Sequence, residues 1–271
     1  MSFRPTQQEY RASRIVAVLS AVFWGGLFYG LVDLLVAIDQ TPGFYDSYLL
    51  ETGWGLLFTF LVAAPCMALA VRPGLVLPLI QVAVVGLAVA VTAVVTSAWA
   101  QLAPAVVLLV SAAFLADLSR GYVRPPAGWR WPHLDPVVAL PVLVMTPPAV
   151  AYAVDNITGY YTQRAPTDDD TMGLDHWPMQ AALPVSVVMV GAAVAAGVRN
   201  GWTGTAVSVS AITVTTGWLG VVSVMYPDHA ASLGATWGSA AIVWAVLFAV
   251  VATQRLVASR RGRACDMPGP S

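Results

Sequence analysis

Lysine is absent from this chain of 271 residues, and all thirteen basic side chains are arginines. Charge of either sign is scarce: 10% of the residues are charged and 58% are hydrophobic. A soluble domain carries roughly 25% charged residues, so a water-facing surface of ordinary composition cannot be covered here. Cysteine is down to two, Cys66 inside an apolar run and Cys265 near the C-terminus, which excludes a disulfide framework. Local catalytic signatures are missing as well. There is no P-loop, no G-x-S-x-G elbow, no H-E-x-x-H and no histidine pair within one apolar run that could hold a haem.

What the sequence does have is long apolar runs. A bilayer core about 30 Å thick needs about twenty helical residues, and eight segments meet that need: 15–36, 54–71, 75–96, 99–117, 137–155, 178–198, 203–225 and 236–257. Lipid offers no partner to free backbone groups, so these segments must be helices. The expected fold is an all-α, polytopic transmembrane helical bundle of about eight spans. It divides into a cytoplasmic N-terminal segment 1–14, a first four-span half 15–117, a cytoplasmic loop 118–136, a second four-span half 137–257 and a disordered basic cytoplasmic tail 258–271.

Orientation follows from the arginines. With the N-terminus inside, Arg4, Arg11, Arg14, Arg72, Arg120, Arg124, Arg130, Arg199, Arg255, Arg260, Arg261 and Arg263 fall on one side, and Arg164 alone falls outside. Short loops rich in Arg stay on the cytoplasmic side, so both termini are expected in the cytoplasm of a cell-membrane, multi-pass protein. The outer loops hold Asp39, Asp46, Glu51, Asp168, Asp169, Asp170, Asp175 and Asp228. The tryptophans agree: Trp54, Trp99, Trp177 and Trp237 sit at expected outer ends, Trp129, Trp131 and Trp202 at inner ones. The arginine face suits anionic headgroups and implies no nucleic-acid partner. The lack of lysine beside abundant Ala, Val and Arg points to a GC-rich bacterial genome, and so to a bacterial inner membrane.

The layout also allows two parallel four-helix repeats. Asp33 ends a span, an acidic loop follows and Trp54 opens the next; Asp155, an acidic loop and Trp177 do the same, at separations of 21 and 22 residues. Tight turns with similar signatures follow, Arg72-Pro73-Gly74 and Arg199-Asn200-Gly201. Four spans per half would relate the repeats by an axis along the membrane normal. Prolines stud the spans, at Pro65, Pro78, Pro104, Pro141, Pro184 and the pair Pro147-Pro148, so the fifth span is expected to kink.

Two constellations could carry chemistry. Asp33 and Asp155 close spans at the outer side, where a carboxylate near hydrocarbon is a candidate ion or proton site. Asp175-His176 and Asp228-His229 form two Asp-His pairs in the second half, and imidazole with carboxylate could hold a divalent metal. No motif fixes ligand spacing for that metal, and no cofactor is otherwise implied. The leading reading is a non-enzymatic transporter or permease-like protein for a small solute or cation in the lipid bilayer. No catalytic residue is assigned. One alternative is a membrane enzyme or metal-dependent sensor with an outward Asp/His site; another is a structural subunit of a membrane complex. The sequence leaves the oligomeric state open.

Overall fold

The computed structural model describes residues 7–36, 48–120, 133–163, 170–171 and 173–265. Arg4, Arg124, Arg130, Arg164, Asp39, Asp46, Asp168, Asp169, Trp129 and Trp131 lie outside the described residues. The described chain is an all-α bundle: α1 Gln7–Val22, α2 Gly30–Val36, α3 Tyr48–Phe58, α4 Ala64–Val71, α5 Val76–Thr96, α6 Leu102–Leu118, α7 Pro136–Thr162, α8 His176–Asn200, α9 Thr205–Met225 and α10 Gly234–Cys265. A π-helical turn, Thr59–Ala63, joins α3 to α4, so that Leu49–Val71 forms one long rod. Before α8, Asp170–Thr171 and Leu174–Asp175 pair as two short antiparallel strands around Gly173, whose φ is 73°.

Among the described residues, seven helices are long and apolar enough to cross a membrane: Leu49–Val71, Val76–Thr96, Trp99–Leu118, Pro136–Thr162, His176–Asn200, Thr205–Met225 and Gly234–Ser259. Many of their large apolar side chains face outward, including Leu140, Leu143, Val110 and Leu247. A surface of that kind suits lipid, and the fold is that expected of a multi-pass membrane protein. The first apolar stretch differs. It is divided by a π-helical turn at Phe23–Leu27, then by Tyr29 at φ 62°, before α2 begins. At the other end of the chain, α10 runs on to Cys265, so helix covers part of the stretch 258–271 expected as a tail.

Where helices start and stop follows from local chemistry. Asp135 caps α7, its Oδ1 accepting from the backbone N–H of Val137 at 3.0 Å and of Val138 at 3.3 Å, with Pro136 at the first helical position. Asp175 caps α8 by accepting from the Trp177 N–H at 2.9 Å. That helix stops at Gly201, in the left-handed conformation that a missing Cβ permits.

Neighbour relations repeat along the chain. α2 packs on α3 and α1 on α4, while α7 packs on α8; α5 packs on α6 and α9 on α10. In addition, α5 lies against α8, while the α3–α4 rod lies against α9. Two close approaches rest on glycine. Gly220 of α9 and Gly238 of α10 face each other so tightly that a Cβ on Gly220 would stand 2.6 Å from the Gly238 carbonyl oxygen. A Cβ on Gly55 of α3 would stand 2.5 Å from the Leu34 nitrogen of α2.

One end of the bundle gathers the arginines. Arg14 donates from Nε to the Ala70 carbonyl at 2.8 Å, and Ser13 shares a 3.3 Å hydrogen bond with Ser119. The two turns singled out in the sequence meet here: Thr203, just after Gly201, accepts from the Val76 N–H at 3.1 Å and lies against Gly74. Arg255 of α10 forms an ion pair with Asp135 at 2.8 Å, and the Asp135 N–H donates to Ala195 of α8. Burial pushes the Asp135 carboxyl up, but the Arg255 hydrogen bond, the Val138 N–H, the Arg255 charge and the Val137 N–H outweigh it and hold it below the ordinary carboxylate value.

Candidate functional site

The opposite end carries Asp33, Glu51, Asp155, Asp175 and Asp228, with buried polar side chains that include Gln101, Asn156, His176 and Gln180. Its centre is built by α2, α3, α7 and the start of α8. Asp33 on α2 is only 6% exposed; its Oδ2 is shielded from solvent with no hydrogen-bond partner among the described residues. Glu51 of α3 bears on it electrostatically. Next to this carboxylate an aromatic column runs across the bundle. Trp24 stacks on Phe58 at 5.2 Å, Phe28 stacks on Trp54 at 5.0 Å, and His176 meets Trp54 edge to face at 5.1 Å. Trp54 fixes its own plane by donating from Nε1 to the Phe28 carbonyl at 2.9 Å.

Around α7 and α8 a buried hydrogen-bond relay continues the site. Gln180 donates to the Tyr152 hydroxyl, which donates to the Ala231 carbonyl at 2.6 Å, tying α8 through α7 to the turn before α10. Gln180 is accommodated by Gly53 of α3, where any Cβ would collide with the amide. Gln101 donates to the Asp175 carbonyl at 2.7 Å, and Gln81 donates to the Leu61 carbonyl at 3.0 Å. Both glutamines thus make the interhelical bonds expected of polar side chains inside a bundle.

The structure treats the sequence candidates unequally. Asp33 is buried, whereas Asp155 is exposed on α7, and the residue beside it, Asn156, is the buried one. Spacing agrees with burial: Trp54 follows Asp33 by 21 residues, and Trp177 follows Asn156 by the same 21. Tyr29 and Tyr152 precede those tryptophans by 25 residues each. The Asp33 N–H donates to the Tyr29 carbonyl at 2.8 Å, and the Asn156 side chain donates to the Tyr152 carbonyl at 2.8 Å. Asn156, missed in the sequence reading, thus stands to Tyr152 and Trp177 at the spacings at which Asp33 stands to Tyr29 and Trp54. The signal for it was present in the i, i+4 pairing with an aromatic residue.

Of the four Asp-His residues, Asp175 and His176 are buried at the start of α8, while Asp228 is exposed and His229 is half-buried in the turn after α9. His229 lies edge to face with Tyr226 at 5.4 Å. The two loops approach one another, since Ala231 shares an apolar cluster with Leu50 and Trp177. Among the described residues no group of three or more His, Cys, Asp or Glu side chains is placed to hold a metal ion.

Asp155 sits instead at a cavity. A space of about 650 Å³ lies between α7, α8, α9 and α10, lined also by Ser232 and Leu233 of the turn before α10. Its wall is mainly apolar, with Val144, Pro148, Leu183 and Leu219 among the lining residues, and Tyr152, Trp237 and Trp244 are its aromatic members. A volume in this range accommodates a small organic molecule. Compared with protein-family models, curated proteins and solved structures, the chain finds no match.

Proposed function

We propose that the protein is a non-enzymatic carrier or permease-like protein for a small solute, built from two parallel halves in a bacterial inner membrane. The observation that carries this reading is the 650 Å³ cavity among the four helices of the second half, lined by the one sequence candidate, Asp155, that faces outward from α7. In this reading the broken stretch Gln7–Val36 serves as an eighth span and the arginine end faces the cytoplasm with both termini. The Tyr-Asp and Tyr-Asn matches and the repeated neighbour relations support duplication. Asp155 meets the solute, and Asp33, buried in the first half, is the ion or proton site.

Reconstituted vesicles test the proposal. Protein-dependent solute uptake or charge movement is expected, lost in Asp155→Asn and uncoupled from the ion gradient in Asp33→Asn. Normal accumulation of both variants with unchanged transport would remove those roles. Reporter fusions that put the two termini on opposite sides would remove the eight-span arrangement.

A further inference from the structure

The lining of the cavity restricts what it can take. Among the described residues Asp155 is its one charged residue, and no arginine or histidine contributes to it. An anion would therefore enter without a counter-charge, in surroundings where a missing partner is costly. The Tyr152 hydroxyl is committed in both directions, to Gln180 and to Ala231, and the Trp244 N–H is committed to the Pro141 carbonyl at 2.8 Å. What remains on offer is a carboxylate, aromatic rings and two hydroxyls. Thr215 and Thr216 are both buried, both line the cavity, and neither hydroxyl has a hydrogen-bond partner among the described residues. A sugar or other polyol needs more partners than this. An organic cation needs what is present: a neutralising carboxylate, aromatic rings whose faces attract positive charge, and apolar wall for its body.

The cavity lies on an exposed side of the bundle. α7 and α10 are the two most exposed of the seven long helices. Trp237, at the cavity, is itself 61% exposed. Trp244 is held flat against Phe248 at 5.0 Å, so its ring is a fixed wall rather than a mobile one.

We infer that this cavity binds a lipophilic organic cation, its positive centre at Asp155 and its apolar body among Leu183, Leu219 and Trp244. The assignment rests on the carrier reading for its purpose but not for its chemistry. The test uses two ions of almost identical shape and opposite charge, tetraphenylphosphonium and tetraphenylborate. Saturable binding to the purified full-length protein in detergent is measured by equilibrium dialysis against protein-free micelles. The phosphonium is expected to bind the protein at least about five-fold more tightly than the borate, a modest ion-pair effect. Asp155→Asn is expected to erase that difference. Ala241→Phe, which fills the cavity without changing charge, is expected to abolish saturable binding of the phosphonium. Equal binding of the two ions, undiminished preference in Asp155→Asn, or full binding by Ala241→Phe would each overturn the inference. The carrier reading fails separately. Phosphonium binding without any protein-dependent transport sinks the carrier and leaves the site, whereas transport of neutral solutes without phosphonium binding does the reverse.

Discussion

The first and fifth apolar stretches, each followed by an acidic loop and then a tryptophan, are built differently. Gln7–Val36 carries no proline yet is broken, by a π-helical turn and a left-handed tyrosine. α7 carries Pro141, Pro147 and Pro148 and still runs as one helix of 27 residues. Proline did not decide where the backbone was interrupted; glycine and close packing did. Gly25 lies in the first π-turn with its Cα facing Ala63 of the second, where an added Cβ would stand 3.2 Å from the Ala63 Cβ. Wide turns of this type are inserted where a helix must reset the direction of its side chains. Here the reset brings Trp24, Phe28 and Asp33 inward. α7 needs no such reset, because Tyr152 and Asn156, one turn apart, already share its buried face.

The comparison can be broken most easily at the contacts of α2 with α3 and of α7 with the start of α8. At Gly55 the wall is backbone, the Leu34 nitrogen at 2.5 Å and the Gly30 oxygen at 2.9 Å from an added Cβ. At Gly159 of α7 the wall is the Trp177 ring, at 2.2 Å. Overpacking costs about 1–3 kcal/mol, and Gly55→Ala is expected at the upper end, because α2 must separate from α3. Gly159→Ala should cost less, since an indole can turn where a backbone cannot. Thermal unfolding of the two variants in detergent checks the order. A smaller loss for Gly55→Ala would mean that the broken stretch is held elsewhere.

The arginine end offers a second contrast. α7 is anchored there by the Asp135 carboxylate, through the cap and the Arg255 ion pair, while α1 is anchored by Arg14 on a neutral carbonyl. Losing the cap in Asp135→Ala is expected to cost about 1 kcal/mol. The sign with pH is set by the depressed folded pKa of Asp135. Its contribution is complete above the ordinary carboxylate value of about 4 and is lost as pH falls through the lower folded value. Melting temperatures of wild type and Asp135→Ala should therefore converge on acidification. The deficit of Arg14→Gln should not change over the same range. A deficit of Asp135→Ala that persists in acid would show that the ion pair does not anchor α7.

These contrasts also mark how far the sequence could be read. Apolar run length fixes helices well, because twenty residues without charge leave the backbone few alternatives, and seven long helices are found where seven of the runs were expected. The interruption of the first run was not legible. Nothing about Gly25 and Gly26 says that one will meet Ala63 and the other open space, since that depends on a partner thirty-eight residues from Gly25. The candidate site was partly legible. Asp33 and Asp155 were marked by their charge, but the buried Asn156 beside Asp155 was not, because composition marks charge and only helical phase marks burial. The cavity could not be foreseen at all, being made by the space that four helices leave between them. Asp135 was passed over for a similar reason, as its partner lies 120 residues on.

The smallest effect separates the two tyrosines. Tyr29 holds φ at 62°, a conformation that costs an ordinary side chain about 1–2 kcal/mol and suits asparagine better. Its side chain is 42% exposed, so little packing is at stake. Tyr152, 25 residues before Trp177 as Tyr29 is before Trp54, is helical, buried and hydrogen-bonded at both ends of its hydroxyl's capacity. The same substitution should then act in opposite directions. Tyr29→Asn is expected to raise stability by about 0.5–1 kcal/mol, the part of the strain that asparagine relieves. Tyr152→Asn is expected to lower it, because Gln180 and the Ala231 carbonyl lose their partner in a buried place. Melting temperatures of both variants decide the matter. A drop for Tyr29→Asn would mean that its ring, not its backbone, sets the break between α1 and α2.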